Sequence, residues 1–434
     1  MKLSLRACCS GIFGLTFVYS TPKILHVHSV AIGLANRLIQ ISILSYVIGY
    51  AIIYKKGYQI TDSVQSSVTS KVKGIASTLD YTNLPQEYRR VWDTPEFVPH
   101  IENGAFFVLT NGIITPNQRM GLCAEDPAVK PCEVKQPWSC TAGGIVENGN
   151  GVMTGACISN TPGNTSGSCE IRAWCPIERK ELPLQNRALL PQAANFTVFI
   201  KNNVEFPKFD MKLSNIKYEM NNEYYLKTCR YNPSNAKYCP VFRLGDIVYL
   251  ADQRRSRTAF DDIAVLGGVI DITIKWDCNF DLDQDKCFPK YEFNRLDYPT
   301  VPTSPGYNFR FAKYFQLADK TESRHLIKAY GILFIISVEG KAGKFSIIPL
   351  AFNIGAGIGL FGLAYVFTDF IMIYISSNRN QFKSEKFSMI VGKRYEKIKR
   401  RIAKLPSLPT TERDEVLMER LDERDKVIID KETV

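Results

Sequence analysis

The sequence predicts a membrane protein in which two transmembrane helices flank a large, disulfide-rich and mainly β extracellular domain. Two segments with almost no charge, residues 38–54 and 347–375, are long enough to cross a bilayer. The chain between them holds ten of the twelve cysteines and several short runs of β-branched and aromatic residues. These observations together predict the fold class.

The first predicted helix is Leu38–Tyr54, which has 17 residues and no charge. It follows a long leader and ends in YKKGYQ, without the small residues of a signal-peptidase site. Arg37 on one side and Lys55 and Lys56 on the other can extend to the two membrane interfaces. We therefore expect a retained anchor rather than a cleaved signal peptide.

The second predicted helix is Ile347–Ile375, which has 29 residues and a single charge, Asp369. Its length of about 43 Å exceeds a hydrocarbon core of about 30 Å, so it must tilt or leave the core at one end. A carboxylate facing lipid at the bilayer centre costs about 2.5 to 3.5 kcal/mol. Two readings of Asp369 stay open, a hydrogen bond between helices and a place in an ion path.

The charge distribution predicts the orientation. Residues 1–37 carry four Lys or Arg and no acid, and residues 376–404 carry ten Lys or Arg and two acids. The positive-inside rule then makes both termini cytoplasmic, with residues 55–346 outside and a basic, then mixed-charge tail over 376–434. The net charge of +11 is thus mainly a topology signal, and we expect no nucleic-acid partner.

An even number of cysteines in one exported loop predicts five disulfides. A zinc site is the rival, but the loop has no Cys-x-x-Cys and only His100 and His325. Cys8 and Cys9 belong to the cytoplasmic end, and the sequons at Asn164 and Asn195 predict N-glycosylation. The cysteines of the loop are Cys123, Cys132, Cys140, Cys157, Cys169, Cys175, Cys229, Cys239, Cys278 and Cys287.

Four short runs in this loop predict strands, with apolar residues alternating most clearly from Ile270 to Trp276. The segment from about residue 120 to 180 differs, because six cysteines lie there among small and polar residues. We expect a disulfide-linked lobe at that place. The predicted strands lie within residues 106–115, 195–202, 267–278 and 330–340.

No motif indicates an enzyme, a cofactor or a bound metal. GIGLFG at 357–362 matches the spacing of a dinucleotide loop, but it lies inside an apolar helix and follows no strand, so helix packing or a pore wall is favoured. GKAGKFS at 340–346 lacks the spacing of a phosphate loop. His is scarce and no hydrolase motif occurs, so we expect a protein without a catalytic set.

Lys71 and Lys73 form an unusual pair in SSVTSKVKGIAS. Residues two apart in a strand share a face, so the two ammonium groups lie about 7 Å apart and repel each other. Such a pair predicts an anionic ligand. The motifs NFRFAKY and LIKAYG likewise contain basic residues and no acidic residue.

Several motifs in one order resemble the ATP-gated ionotropic purinoceptors, the P2X receptor family. The resemblance runs from about residue 19 to about residue 386. It includes TPKI, KGYQITDSVQSSVTSKVKGIA, NFTVFIKNN, GYNFRFAKYF, LIKAYGI and GKAGKF, together with the ten-cysteine loop.

The resemblance implies a trimer that binds ATP, as agonist and not as cofactor, between neighbouring extracellular domains. Lys71 and Lys73 would bind the phosphates from one subunit, and Thr197 the adenine. Asn308, Arg310 and Lys328 would bind the phosphates from the neighbouring subunit, and Phe199 and Lys201 match flanking positions.

The resemblance also implies the disulfide pairing and the gate of the pore. Phe352, Ala356 and Gly359 fall where the family's pore narrows, and they share one helix face. The implied disulfides join Cys123 to Cys175, Cys132 to Cys157, Cys140 to Cys169, Cys229 to Cys239 and Cys278 to Cys287.

The chain departs from the family pattern at three positions. Leu333 and Ile335 in YGILFI replace an Arg and an Asp, for which we expect altered local packing or gating. Phe382 replaces the Tyr of a Tyr-x-x-x-Lys motif that ends at Lys386, which leaves trafficking open. Thr21 matches a phosphorylation-type motif that is common by chance.

The preferred function is a non-selective channel for sodium, potassium and calcium that extracellular ATP opens in the plasma membrane. Endolysosomal membranes are left open as a second location, and mixed trimers as an alternative to the homotrimer. An acid-sensing or epithelial-sodium-type channel should show clustered acidic residues in the loop and a Gly-x-Ser filter in the second span, and neither GAS nor GSS occurs in that span. An ecto-nucleotidase should carry acidic and glycine-rich phosphate loops, which we do not find.

Overall fold

The structure, a computed structural model, divides into two units. It describes residues 27, 29–99, 101–135, 139–159, 165–216, 223–251, 260–282, 286–297 and 305–386. The helical unit comprises Met1–Tyr58 and Ile347–Val434, and the β unit comprises Gln59–Ser346. Thr21, Cys8, Cys9, His100, Asn164 and the tail beyond Lys386 lie outside the described residues.

Among the described residues, two helices are long and apolar enough to cross a membrane. Helix α1 (Val30–Leu44) continues as a π-helix over Ser45–Tyr54, and helix α6 (Ile347–Phe370) continues as a π-helix over Ile371–Ile375. The first helix begins eight residues before the uncharged segment. Arg37 is no obstacle to a helical backbone, and its guanidinium donates to Gln40 Oε1 at 2.9 Å. The membrane boundaries themselves stay a prediction.

The two long helices pack through a small residue and two polar bridges. A Cβ on Gly357 would lie 2.9 Å from Val47 Cγ1, so only glycine allows this approach. Gly355 and Gly359, in contrast, have no atom within 4 Å of a Cβ position. Two hydrogen bonds add to the contact, from Asn353 Nδ2 to Gly57 O at 2.9 Å and from Thr368 Oγ1 to Asn36 Oδ1 at 3.2 Å.

The described part of the β unit contains sixteen strands and several short helices. The short helices are α2 (Thr94–Phe97), α3 (Glu223–Thr228), α4 (Leu244–Ala251) and α5 (Phe260–Leu266), and α7 (Arg379–Lys386) follows the second long helix in the helical unit. The strands are β1 (Gln59–Ser63), β2 (Gln65–Lys73), β3 (Ala76–Ser77), β4 (Val91–Trp92), β5 (Ile101–Glu102), β6 (Ala105–Ala124), β7 (Pro131–Glu133), β8 (Val152–Ser159), β9 (Ser166–Cys175), β10 (Thr197–Phe206), β11 (Met211–Ser214), β12 (Val241–Arg243), β13 (Gly268–Asn279), β14 (Lys290–Arg295), β15 (Asn308–Gln316) and β16 (Glu322–Phe345).

These strands form two main sheets. In the larger sheet the strand order is β14-β13-β16-β6-β9-β7, and in addition β1 and β15 pair with β16, β5 pairs with β6 and β8 pairs with β9. In the smaller sheet the order is β11-β10-β12, and β2 pairs with β10. Strands β3 and β4 pair only with each other.

The four predicted strand segments fall on β6, β10, β13 and β16. From Ile270 to Trp276 on β13 the four alternate apolar residues are fully buried as predicted, but Asp271 and Thr273 between them are buried as well. The strand is therefore not half-buried here, because β13 lies between β14 and β16 inside the sheet. Trp276 Nε1 donates to Asn202 Oδ1 at 2.8 Å, which ties the larger sheet to β10 of the smaller one. The main core therefore lies between the two sheets. The predicted fold class is confirmed.

Five disulfides link the β unit, and their pairs are the ones that the resemblance implied. Three of them lie in the predicted cysteine-rich lobe, which has a small core of its own. The sulfur atoms of Cys132, Cys140 and Cys169 lie within 4.8 Å of one another, but all three are committed to two of these disulfides.

The two departures in YGILFI, Leu333 and Ile335, lie on β16 and are both half-buried. Leu333 lies between Val269 and Phe107 in the register, and Ile335 lies between Asp271 and Ala105. An Arg and an Asp at these positions would need polar partners, which Leu and Ile do not. The expected change in local packing or gating stays a prediction.

A nearly buried ion pair holds the end of β14 against β13. Arg295 donates from Nε to Asp297 Oδ1 at 2.9 Å and from Nη2 to Asp297 Oδ2 at 2.8 Å, and Val269 N donates to Asp297 Oδ1 at 3.1 Å. Burial raises the pKa of Asp297, but the bonds from Arg295 and Val269 outweigh it and hold that pKa below the usual range. The fold therefore favours the ionised carboxylate.

Replacing Asp297 with Asn should destabilise the β unit by about 3 kcal/mol, because it removes the carboxylate charge that accepts two bonds from the buried Arg295 guanidinium. Thermal unfolding of the full chain in detergent measures the change. The loss should be full above the unfolded pKa of about 3.9 and should disappear as the pH falls through the lower folded pKa. Asp246→Asn, which breaks an exposed pair with Arg243, is the control and should change little. Equal losses in both variants would contradict the assignment.

Candidate functional site

One face of the smaller sheet carries the predicted residues of β2 and β10. The antiparallel register places Lys73 opposite Thr197 and Lys71 opposite Phe199, with Lys201 two residues further along β10. Lys71, Lys73 and Lys201 are exposed, and Thr197 and Phe199 are half-buried. The alternate residues point into the core; they are Val72, Val198 and Ile200. Five predicted site residues therefore share an outward face.

Gly74 allows the end of β2 to approach β10 closely. A Cβ at this position would lie 2.1 Å from Phe196 Cδ1, so a side chain there would displace the ring. Phe196 directly precedes Thr197 and stacks on Phe97 with ring centroids 4.4 Å apart. The glycine of KVKG thus helps to place Lys73 beside Thr197.

The second group of predicted residues lies on β15 and β16 of the larger sheet. Arg310 pairs with Lys328, and Asn308 pairs with Tyr330. Because residues two apart on a strand share a face, Asn308, Arg310 and Lys328 point to the same side. The structure therefore forms two polar faces on two sheets, as the two-sided site requires.

Arg310 is engaged by an acidic residue that the sequence did not indicate. Its Nε lies 2.9 and 2.8 Å from the two carboxylate oxygens of Glu178. Glu178 lies shortly after Cys175, the end of β9, and 132 residues before its partner. A local motif could not have revealed this ion pair, because the pairing depends on the tertiary fold.

The four lysines of the two faces have no acidic partner among the described residues. Within the part of the chain that the structure describes, Lys71, Lys73, Lys201 and Lys328 form no ion pair. Uncompensated cations raise the local potential and attract a polyanion. The two faces are thus suited to a ligand with several negative charges.

His325 lies three residues before Lys328 on β16. Burial lowers its pKa, and the charges of Arg90 and Lys313 lower it further. The neutral ring accepts a hydrogen bond at Nδ1 from Asn117 N at 3.1 Å. This histidine therefore adds no positive charge to the site near neutral pH.

The predicted gate residues lie on an open face of α6. Phe352 is 76% exposed, and Ala356 and Gly359 are exposed as well. An apolar groove runs along this face and is lined by Ile347, Ile348, Ala351, Phe352, Gly355 and Ala356. Further along α6, Asp369 forms an ion pair with Lys386 of α7.

The predicted glycosylation site at Asn195 is accessible. Its side chain is exposed, and Oδ1 accepts from Arg243 Nε at 3.2 Å and from Arg243 Nη2 at 2.8 Å. These bonds leave the amide nitrogen, the atom that carries a glycan, directed away from Arg243.

The fold and the site define a two-span membrane protein with a disulfide-linked extracellular β domain and two cationic faces. The profile of the family described as ATP P2X receptor matches residues 17–389. The chain belongs to this family.

Curated relatives and solved structures agree with this assignment. P2X purinoceptor 4 of Bos taurus is 43% identical over 390 residues, which cover 89% of this chain and 97% of the relative. P2X purinoceptor 5 of Mus musculus is 43% identical over 394 residues, which cover 90% and 84%. The similarity of the motifs to the fourth vertebrate subtype agrees with the first match.

Two solved structures share the fold. An invertebrate P2X receptor from the Gulf Coast tick, determined with ATP and Zn²⁺, has 45% identity and a TM-score of 0.72, covering 78% of this chain and 99% of that one. The chicken ATP-gated P2X7 receptor channel, determined with the competitive antagonist TNP-ATP, has 38% identity and a TM-score of 0.67, covering 78% and 98%. The acid-sensing-type channel and the ecto-nucleotidase are not favoured by these matches.

Proposed function

We propose that this chain is one subunit of a trimeric, non-selective cation channel of the plasma membrane that extracellular ATP opens. The observation that carries the proposal is the pair of cationic faces, with four lysines that lack ion-pair partners among the described residues. The tick receptor was determined with ATP, and the proposal extends that ligand to this chain. A homotrimer is the simplest assembly, and mixed trimers remain an alternative.

The ligand would lie between two subunits. Lys71 and Lys73 of one subunit hold the phosphates while Thr197 contacts the adenine, and Phe199 and Lys201 flank them. Arg310 and Lys328 of the neighbour, with Asn308, complete the phosphate site. Lysines supply point charges, whereas the guanidinium can fork onto two phosphate oxygens. Contacts that form only when the two faces approach favour the closed site and thereby shift the gate.

The pore would be lined by α6. A ring of three Phe352 side chains closes a three-fold pore by excluding water, with Ala356 and Gly359 on the same helix face. Sodium, potassium and calcium ions pass when the ring widens. Both termini are cytoplasmic, Asn195 and Asn164 carry glycans outside the cell, and endolysosomal membranes are a second location to test.

Voltage clamp of cells that express the full chain tests the function. ATP applied outside should evoke an inward current of sodium and calcium, and a slowly hydrolysed ATP analogue should do so as well. A nucleotidase would release phosphate from ATP without a current. Absence of current from protein at the cell surface would overturn the proposal.

Replacing Glu178 with Gln should lower the ATP concentration for half-maximal current by about threefold. The resting ion pair with Arg310 must break before the guanidinium binds phosphate, and exposed pairs contribute about 0.2 to 1 kcal/mol. Dose–response curves under voltage clamp measure the shift. Glu292→Gln, which breaks an exposed pair with Lys275 on the same sheet, is the control. An unchanged or higher concentration for Glu178→Gln would contradict this role of the ion pair.

A further inference from the structure

The ammonium of Lys328 rests on an aromatic ring. Its Nζ lies 5.2 Å from the centroid of the Tyr330 ring. The two residues are two apart on β16 and therefore extend from the same face of the strand. A cation within about 6 Å of a ring centroid is attracted by the negative face of the ring. Tyr330 therefore holds one of the proposed phosphate-binding cations.

A β-bulge on β6 lies opposite the backbone that carries Tyr330. Tyr330 pairs with Asn111, but the next residue, Gly331, pairs with Leu109, so Thr110 is the extra residue on β6. Thr110 is fully buried, and its Oγ1 donates to a backbone carbonyl at 2.7 Å. The bulge bends β6 and shifts the pairing register beside Tyr330.

Gly331 strengthens this arrangement. A Cβ at Gly331 would lie 2.2 Å from Val108 O, so β16 and β6 approach more closely here than any other residue would allow. Gly331 N also donates to Tyr307 O at 3.3 Å. The close approach of the two strands leaves the β16 backbone little room to move beside Tyr330.

Arg310 and Lys328 face each other in the register but are held in different ways. Glu178 competes with an incoming phosphate for Arg310, because a carboxylate and a phosphate seek the same guanidinium. The face of Tyr330 carries no net charge and takes none of the hydrogen-bond acceptors of a phosphate. Lys328 thus keeps its full charge and its three N–H donors while its long side chain is restrained.

We propose that Tyr330 is a positioning residue for ATP, acting through a cation–π contact that directs the Lys328 ammonium toward the phosphates. The inference rests on the proposed function and deepens it, because it assigns a role to a residue outside the set that the resemblance implies. The restraint reduces the side-chain entropy that Lys328 loses on binding, so the contact acts on ATP affinity.

The test replaces Tyr330 in the full chain, expressed in oocytes, with a graded series made by nonsense suppression. The series is phenylalanine, then phenylalanine with one, two and three ring fluorines, then cyclohexylalanine. Each fluorine weakens the negative face of the ring with little change in shape, and cyclohexylalanine removes that face. The ATP concentration for half-maximal current should rise at every step, to about fivefold for cyclohexylalanine. Phenylalanine should match the wild type within about twofold.

Two further readouts separate positioning from a structural role. The maximal current per surface receptor, measured with surface biotinylation, should stay constant through the series. The same fluorinated series at Phe106, a buried ring that stacks on Phe334 at 4.8 Å, should leave the ATP concentration unchanged. Loss of surface protein through the Tyr330 series, with no graded shift, would overturn the inference.

The outcomes also distinguish this inference from the function on which it rests. If ATP opens the wild-type channel but the ATP concentration for half-maximal current stays the same through the Tyr330 series, the inference is wrong and the proposed function stands. A wild-type protein at the surface that gives no current with ATP overturns both.

Discussion

Replacing Lys73 with alanine should raise the ATP concentration for half-maximal current by about 100-fold. Removing one partner of a desolvated, hydrogen-bonded charge pair costs about 2 to 5 kcal/mol, and each 1.4 kcal/mol is a factor of ten. Lys73 is exposed at the end of β2, directly opposite Thr197, and has no competing anion among the described residues. Its whole charge is therefore available to the phosphates of the proposed ligand, and Lys71 on the same face can offset only part of its loss.

Voltage clamp across a wide range of ATP concentrations measures this shift. Lys73→Arg keeps the charge but changes its shape, so it should recover part of the sensitivity. Lys212→Ala is the matched control, because Lys212 lies on the neighbouring β11 and pairs only loosely with Glu205, at 3.7 Å. If the Lys73→Ala channel opened at the same ATP concentration as the wild type, the proposed phosphate site would be wrong.

Replacing Phe352 with serine should produce a standing current without ATP. Apolar constrictions close pores because water leaves a narrow apolar passage, and a hydroxyl in each of three subunits would keep it wet. The exposed position of Phe352 on α6 leaves its ring free to meet two copies of itself. Phe352→Leu should keep the channel closed at rest, because it preserves an apolar ring of side chains.

The leak is measured as the holding current without ATP. Replacing external sodium with a large organic cation should abolish it. Ile354→Ser is the control, since Ile354 is also exposed on α6 but lies about 200° around the helix from Phe352. A leak in both variants would indicate a general disturbance of the helix. No leak in Phe352→Ser, with normal ATP currents, would place the gate elsewhere on α6.

Much of the fold follows from local patterns. The uncharged segment from Leu38 and the alternation from Ile270 to Trp276 are patterns within short stretches of the chain. A single sequence is therefore enough to predict the helix and the strand that they form. The sequence did not predict that the first helix begins at Val30, because a helical backbone can extend beyond the uncharged segment into residues that include a charge. The disulfide pairs also required a known family, since ten cysteines permit many pairings and only the tertiary fold selects one.

The site divides in the same way. Lys71 and Lys73 were visible as an anion-binding pair because their spacing alone puts them on one face. Glu178 was not visible, since its contact with Arg310 joins residues 132 apart through the packing of β9 and β15. Tyr330 was not visible either, because the spacing of Lys328 and Tyr330 puts them on one face but does not show that the ammonium lies over the ring, 5.2 Å from its centroid.

Strand β16 has a mechanical consequence. It runs without interruption for 24 residues, from Glu322 to Phe345, and α6 begins two residues later at Ile347. From Lys328 to Phe345 the backbone spans about 55 Å at about 3.3 Å per residue, and an extended chain has almost no slack to give up. In the proposed channel, a force that a bound phosphate exerts on Lys328 would be transmitted along this almost inextensible backbone to Ile347. Ligand binding would then become a displacement at the start of α6.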